Sequence, residues 1–422
     1  MSSRNSAAES VGKRLGPEAS GSPYRKDFPI LDRTVHGKPL VYLDSAATTQ
    51  KPRTVVEAVE RFYARECANV HRGLHLLSAD ATEAFESARE SVARFVGAAS
   101  PNEIVFTSGT TASINLVAHS FGRTHVREGD EVLITQMEHH SNIVPWQLLC
   151  ESTGATLRVV PINDDGELVL EEYEKLLGPR TRIVAVTHTS NALGTRNPLS
   201  RMIAAAHALE VPVLVDGAQA MAHEPVDVAA MDCDFFAFSG HKMFGPTGIG
   251  VLYGKYDLLD SMPPFLGGGE MIETVRFGGT TFKEPPHRFE AGTPDIAGVI
   301  GLDAAVDYLN SAGLARIAAH DRELLDYATR RLLEVPGLRL MGTAADKSAI
   351  LSFNLGRIHS HDVGQWLDGD GVAVRAGHHC AQPVMERFGV PSTVRASLAC
   401  YNTRDDVDAL VRALEKTNEV MG

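Results

Sequence analysis

Val213-Leu214-Val215-Asp216-Gly217-Ala218-Gln219 and Asp234-Phe235-Phe236-Ala237-Phe238-Ser239-Gly240-His241-Lys242 are the two stretches on which the reading of this 422-residue chain turns. In each, a short unbroken apolar run is closed by polar and small residues. Such a run fits a strand buried on both faces, as in a parallel sheet. The same pattern recurs outward from them, at residues 104–107, 131–135, 156–160, 182–187 and 250–253. With 213–216 and 235–239 these make seven strands. Helical patterns lie between most of them, among them 110–120, 168–177 and 198–208. The alternation predicts an α/β fold whose mostly parallel sheet is covered by helices on both faces.

The rhythm breaks at residues 258–293, where Gly267-Gly268-Gly269, Gly278-Gly279 and several prolines predict a long functional or interface loop. Helical patterns at 296–312 and 314–333 follow. They lead to strands near 350–354 and 372–374 and a closing helix near 404–416. The expected organisation is a disordered tail over 1–26, a large domain over 27–295 and a smaller C-terminal α/β domain over 296–422. The start of the large domain is expected to contribute to the small one.

Composition narrows the class. Hydrophobic residues at 44% and charged residues at 22% describe an ordinary globular protein, not a disordered chain. Forty Lys and Arg against 53 Asp and Glu give a net charge of −13, which repels nucleic acid and anionic lipid. No apolar run approaches the roughly 20 residues that cross a bilayer, and residues 1–26 lack the apolar stretch of a secretory signal. A cytoplasmic protein is expected. The five cysteines (Cys67, Cys150, Cys233, Cys380 and Cys400) are odd in number and scattered, which favours free thiols over disulfides. Four read as buried and inert, leaving Cys380 as the candidate nucleophile.

Chemistry-bearing residues fall at predicted strand ends. Lys242, after a strand and before a glycine-rich segment, has the setting that lowers an amine pKa and makes a Schiff-base former; a turn lysine is the plain alternative. Asp216, ending a buried strand, needs a partner, and a pyridinium nitrogen is one; capping the next turn is another role. Ser108-Gly109-Thr110-Thr111 opens a helix and presents N–H groups to a phosphate, or is a simple cap. Met137-Glu138-His139-His140-Ser141-Asn142 and Thr187-His188-Thr189-Ser190-Asn191 each follow a strand, offering a ring to stack and an amide to bond a ring hydroxyl. Arg375-Ala376-Gly377-His378-His379-Cys380-Ala381-Gln382-Pro383 sets a cysteine beside two histidines and near an arginine, a setting for an attacking thiolate. Arg395 has the two-pronged group that clamps a carboxylate; a surface ion pair is the plain alternative. The histidines show no zinc-type spacing, so no metal is expected.

The order S-G-T-T, E-H-H, S-N, D-G-A-Q and S-G-H-K resembles fold-type I pyridoxal-phosphate transferases of the class V aminotransferase branch. With R-A-G-H-H-C-A-Q-P, the chain from about residue 28 onward is similar to the SUF-type (group II) cysteine desulfurases and selenocysteine lyases. Leu43-Asp44-Ser45-Ala46-Ala47-Thr48-Thr49, Val70-His71-Arg72-Gly73 and Arg288-Phe289-Glu290-Ala291-Gly292-Thr293-Pro294 add to the match. The resemblance implies pyridoxal 5'-phosphate held covalently by Lys242. It implies Asp216 on the ring nitrogen, Gln219 on the phenolic oxygen, His139 on the ring face and Asn191 beside ring and substrate. Thr110, Thr111, Ser239 and His241 would bind the phosphate, with Thr293 arriving from the second subunit of a homodimer. Arg395, with Arg375 nearby, would bind the carboxylate of L-cysteine.

Cys380 would take the sulfur as a persulfide, His378 would shuttle a proton, and the sulfur would pass to an acceptor protein of the SUF system for iron–sulfur cluster assembly. His361 occupies a position resembling one that takes over a zinc ligand from a zinc-bound acceptor; an unpartnered helix-start histidine is the alternative. Ala112 departs from the pattern where an acidic residue is common. The short cysteine segment implies slow unaided turnover. L-selenocysteine as substrate, another class V lyase or transaminase, and a non-catalytic assembly subunit are the other readings. Intact Lys242, Asp216 and Cys380 argue against the last.

Overall fold

A computed structural model describes residues 21–422. Its centre is a seven-stranded sheet in the order Ile104–Thr107, Gly250–Gly254, Phe235–Ser239, Val213–Asp216, Thr181–Thr187, Glu131–Thr135, Thr156–Val160. Gly250–Gly254 runs antiparallel to both neighbours and the other six share one direction. The continuous apolar runs are buried along their whole length in four of the seven strands, including Val213–Asp216 and Phe235–Ser239. This is why they show no polar alternation. Two apolar cores cover the two faces, one containing Phe236, Phe238, Val215 and Val184, the other Phe235, Ala237, Leu214 and Ile183. One direction for six strands puts Thr107, Thr135, Thr187, Asp216 and Ser239 at a single sheet edge, the carboxyl end where α/β folds bind ligands.

The smaller unit has an antiparallel sheet in the order Leu338–Met341, Ile350–Leu355, Thr393–Ser397, Arg375–Gly377, backed by the helices Ser360–Gly369 and Arg404–Met421. Val41–Tyr42 pairs in parallel with Val372–Ala373, so the start of the chain is stitched into this unit. Three expectations change in three dimensions. Residues 1–20 of the expected tail lie outside the described residues. The rest of it is held, however: Arg25 pairs with Asp406 at 3.1 Å and also donates to Leu40 O. The helix Ile296–Ala312, placed in the smaller domain by the sequence, packs on Arg53–Arg61 and Leu76–Val96 in the large core, because its first seven residues are apolar and buried on every side. The 258–293 loop contains a hairpin, Ile272–Arg276 with Gly279–Phe282, that no apolar alternation announced; all but Ile272 of its residues are exposed.

Candidate active site

A cleft of about 480 Å³ opens between the sheet edge and the smaller unit. It is lined by Thr110, Thr111, His139, Asn191, Asp216, Gln219, Ser239, His241, Lys242, His361, Arg375, His378, Cys380 and Arg395. Residues scattered over almost 300 positions are therefore gathered into one cleft.

Three glycines make the base. Gly109 stands at φ 144°, and its missing side chain leaves Ser239 Oγ free to reach the next residue: Thr110 N donates to Ser239 Oγ at 2.8 Å. A Cβ on Gly250 would stand 2.4 Å from Gly109 Cα, so the reversed strand and the turn approach only as glycines. A Cβ on Gly217 would enter the Phe236 ring, so the turn after Asp216 is fixed the same way. Thr110 thus opens its helix with its N–H tied to Ser239, and no side chain caps the helix at Gly109.

Asp216 is buried and accepts from Ala218 N at 3.0 Å. Burial raises its pKa while the Lys242 ammonium lowers it. Burial depresses the Lys242 amine and Asp216 opposes this. Each charge thus opposes the effect of burial on the other without reversing it. His139 accepts from Ser141 N at 3.1 Å through Nδ1, and burial beside Lys242 pushes its pKa down to about 3. The ring is neutral at working pH. His241 is likewise pushed down to about 4 by burial and the nearby lysines, while its carbonyl accepts from Thr49 N at 3.0 Å and Lys51 Nζ at 3.1 Å. Gln219 Nε2 donates to Ala46 O at 2.8 Å.

On the facing wall, Arg395 is 2% exposed at its side chain and donates to Asn191 O at 2.9 Å and to Asp44 Oδ1 at 3.2 Å, while its buried Nε has no partner. Arg375, half-exposed, donates to both oxygens of the same Asp44. One carboxylate thus pairs with two guanidinium groups beside the cleft, leaving net positive charge for an anion. Cys380 is exposed at the mouth, and both His379 and Cys380 sit in the left-handed region, at φ 53° and 54°. Such conformations cost roughly 1–3 kcal/mol each and persist only where contacts over-determine them. Asn191 Nδ2 donates to His379 O at 2.6 Å, His140 N to Cys380 O at 2.8 Å, and Cys380 N to His378 Nδ1 at 3.3 Å. His379 itself turns away to Thr393 Oγ1.

Most residues singled out from the sequence meet in this cleft. Thr293 does not: it lines a separate pocket of about 280 Å³ with Thr107, Ser108, Ala112 and Leu266. Cys67, expected to be buried, is exposed, whereas Cys150, Cys233 and Cys400 are buried. Sequence reasoning missed the roles of Asp44, Glu138 and His140. Each was quoted within a motif, but their function depends on contacts with segments far away in the chain. Among the described residues one group offers metal-type donors close together, His71, Glu86 and His287. There Glu86 already accepts from His71 Nε2 and Arg89 Nε, and Arg89 is paired with Glu290, so its oxygens are engaged and its charge balanced.

The sequence profile of the family described as aminotransferase class-V matches residues 41–410. This chain belongs to the aminotransferase class-V family. Within that family it is 56% identical over 399 residues to a cysteine desulfurase of Dickeya dadantii, covering 94% of this chain and 97% of that one. It is 54% identical to a cysteine desulfurase of Escherichia coli O127:H6, over 94% and 98% of the two chains. The crystal structure of the Escherichia coli cysteine desulfurase CsdA superimposes with a TM-score of 0.88 at 43% identity, covering 94% of this chain and 98% of that one. The apo cysteine desulfurase of Thermococcus onnurineus NA1 does so with 0.90 at 40%, with the same coverage. The class V cofactor is pyridoxal phosphate, and the cleft fits it. A buried carboxylate, a neutral stacking imidazole, a depressed amine and a hydroxyl-lined helix start are the donor set that a pyridinium ring and a phosphate require.

Proposed function

We propose that this protein is a pyridoxal-phosphate-dependent L-cysteine desulfurase that leaves L-alanine and a persulfide on Cys380. The observation that carries the reading is that Lys242 and Cys380 line one cleft from opposite units of the fold, with the buried Arg395 of the smaller sheet lining it too. Pyridoxal phosphate, when bound, supplies an electron sink that weakens bonds at the substrate's Cα and Cβ.

The chain's own groups do the rest. Lys242, with its amine pKa depressed by burial, holds the cofactor and moves a proton at the substrate Cα. Asp216 keeps the ring nitrogen protonated, Gln219 bonds the phenolic oxygen, and neutral His139 covers the ring face. Thr110, Thr111, Ser239 and His241 take the phosphate. Arg395, with an unused Nε, takes the substrate carboxylate with Asn191 and Arg375 beside it. The Cys380 thiolate then attacks the substrate sulfur. The S–S bond forms, the Cβ–S bond breaks with its electron pair left on carbon, and a proton there completes alanine. His378, whose Nδ1 faces the Cys380 backbone, holds a proton next to the thiol.

The finer part of the reading concerns assembly and delivery. Thr293 lies apart from its own cleft, and Leu74, Leu76, Leu77, Val275 and Phe277 are exposed apolar residues. Both features support a homodimer in which Thr293 completes the partner's phosphate site. His361 is exposed and lines the same cleft as Cys380, which supports a role in exchanging a zinc ligand with a zinc-bound SUF-type acceptor. Among the described residues no helix is long and apolar enough to cross a membrane; a cytoplasmic enzyme is part of the proposal.

Intact mass after brief exposure to L-cysteine tests the chemistry. A gain of one sulfur on the wild type, absent from Cys380→Ala, with alanine released, is the expected result. Alanine formation undiminished in Cys380→Ala would move the reading to another class V lyase.

A further inference from the structure

We propose that His140 is a positioning residue for the Cys380 nucleophile, fixing the far side of the strained turn that carries the thiol. The proposal rests on the reading of Cys380 as the sulfur acceptor. His139 and His140 stand side by side after the strand Glu131–Thr135, and the cleft lining includes only the first. His140 points the other way, toward the cysteine segment. Its backbone N–H donates to Cys380 O at 2.8 Å, and its ring Nε2 accepts from Gln382 N at 3.3 Å. An amide N–H can only donate, so Nε2 carries the lone pair and the ring is neutral. The ring also lies 5.6 Å from that of His378 at 36°.

The arrangement has a physical purpose. His379 and Cys380 are consecutive non-glycine residues in the left-handed region, which relaxes unless its surroundings forbid it. The turn is held on one side by Asn191 Nδ2 on His379 O. On the other it is held by the His140 ring on Gln382 N, the first residue of the helix Gln382–Phe388. Ala381 N on His378 O closes the turn itself at 2.8 Å. Losing the His140 ring contact frees the helix start while leaving the backbone bond to Cys380 O. The sulfur then wanders from the line of attack, and a displacement of about 1 Å costs on the order of a hundredfold in rate.

His140→Gln and His140→Asn separate this role from mere occupancy. Both keep an amide, but only glutamine reaches as far as Nε2. The holoenzyme is mixed with L-cysteine, quenched at intervals, and the sulfur gained by Cys380 in the first turnover is followed by intact mass. Cofactor absorbance and half-saturation by L-cysteine are recorded for each variant. The expected result is sulfur gain slowed about tenfold or more in His140→Asn and within about threefold of wild type in His140→Gln. Cofactor absorbance and half-saturation are expected to stay unchanged in both. Equal rates in the two variants, fast or slow, overturn the proposal. Cys380→Ala is run beside them: sulfur gain persisting there defeats the desulfurase reading itself, whatever the two amide variants do.

Discussion

Glu138→Gln probes the foundation under His139 and His140. Glu138 is fully buried and its carboxyl is met by three donors: Thr135 Oγ1 at 2.6 Å, Thr187 N at 2.9 Å and Asn142 Nδ2 at 2.7 Å. Asn142 cannot turn over without loss, since its Oδ1 accepts from Trp146 Nε1 at 2.9 Å. A glutamine keeps the first two bonds but sets its NH2 against that of Asn142. One buried donor is then orphaned, at a cost of about 1–3 kcal/mol. Burial pushes the Glu138 pKa up to about 8 in spite of the donors. The folded state therefore keeps a proton that the unfolded chain releases near pH 4.5. The sign follows: this site's contribution to stability is greatest below about pH 4.5 and declines as pH rises to about 8. The glutamine variant has no such decline.

The stability gap between wild type and variant should therefore shrink between pH 6 and pH 8, by at most about 1.4 kcal/mol per pH unit. At about 1 °C per kcal/mol for a chain of this length, the gap in thermal midpoint narrows by up to about 3 °C. Calorimetry of the two holoenzymes at one scan rate measures it, and effects of other titrating groups cancel in the difference. A gap that stays constant or widens with pH would refute the reasoning, because the three donors would then have outweighed burial and kept Glu138 ionised.

Three further outcomes are expected. Asp216→Asn should lower turnover by on the order of a hundredfold or more with the cofactor still bound, because it removes the charge that stabilises a protonated ring nitrogen; steady-state alanine formation checks this. Arg395→Lys should raise the KM for L-cysteine about tenfold or more with a smaller change in kcat, since lysine cannot present a fork to Asp44, Asn191 O and a carboxylate together; substrate titration measures the split. His361→Ala should leave basal turnover unchanged and lower turnover stimulated by a zinc-bound acceptor, and equal stimulation would remove the zinc-exchange role.

Much of this molecule is legible before folding. The strands Val213–Asp216 and Phe235–Ser239 declare themselves because burial on both faces demands unbroken apolar runs, and Lys242 and Asp216 follow from standing at their ends. The fold class, the cofactor chemistry and most cleft residues are therefore local properties of sequence. Other features are decided only by tertiary structure. The tie of Asp44 to both Arg375 and Arg395 spans more than 300 residues. The grip of His140 on Gln382 spans 242. The helix Ile296–Ala312 went to the large core because its first two turns are apolar on every side, which gives no direction to its neighbours. Periodicity reports which side of an element is dry, and end residues report what the element offers. Which distant group meets that offer depends on how the two units dock, and no local pattern encodes that.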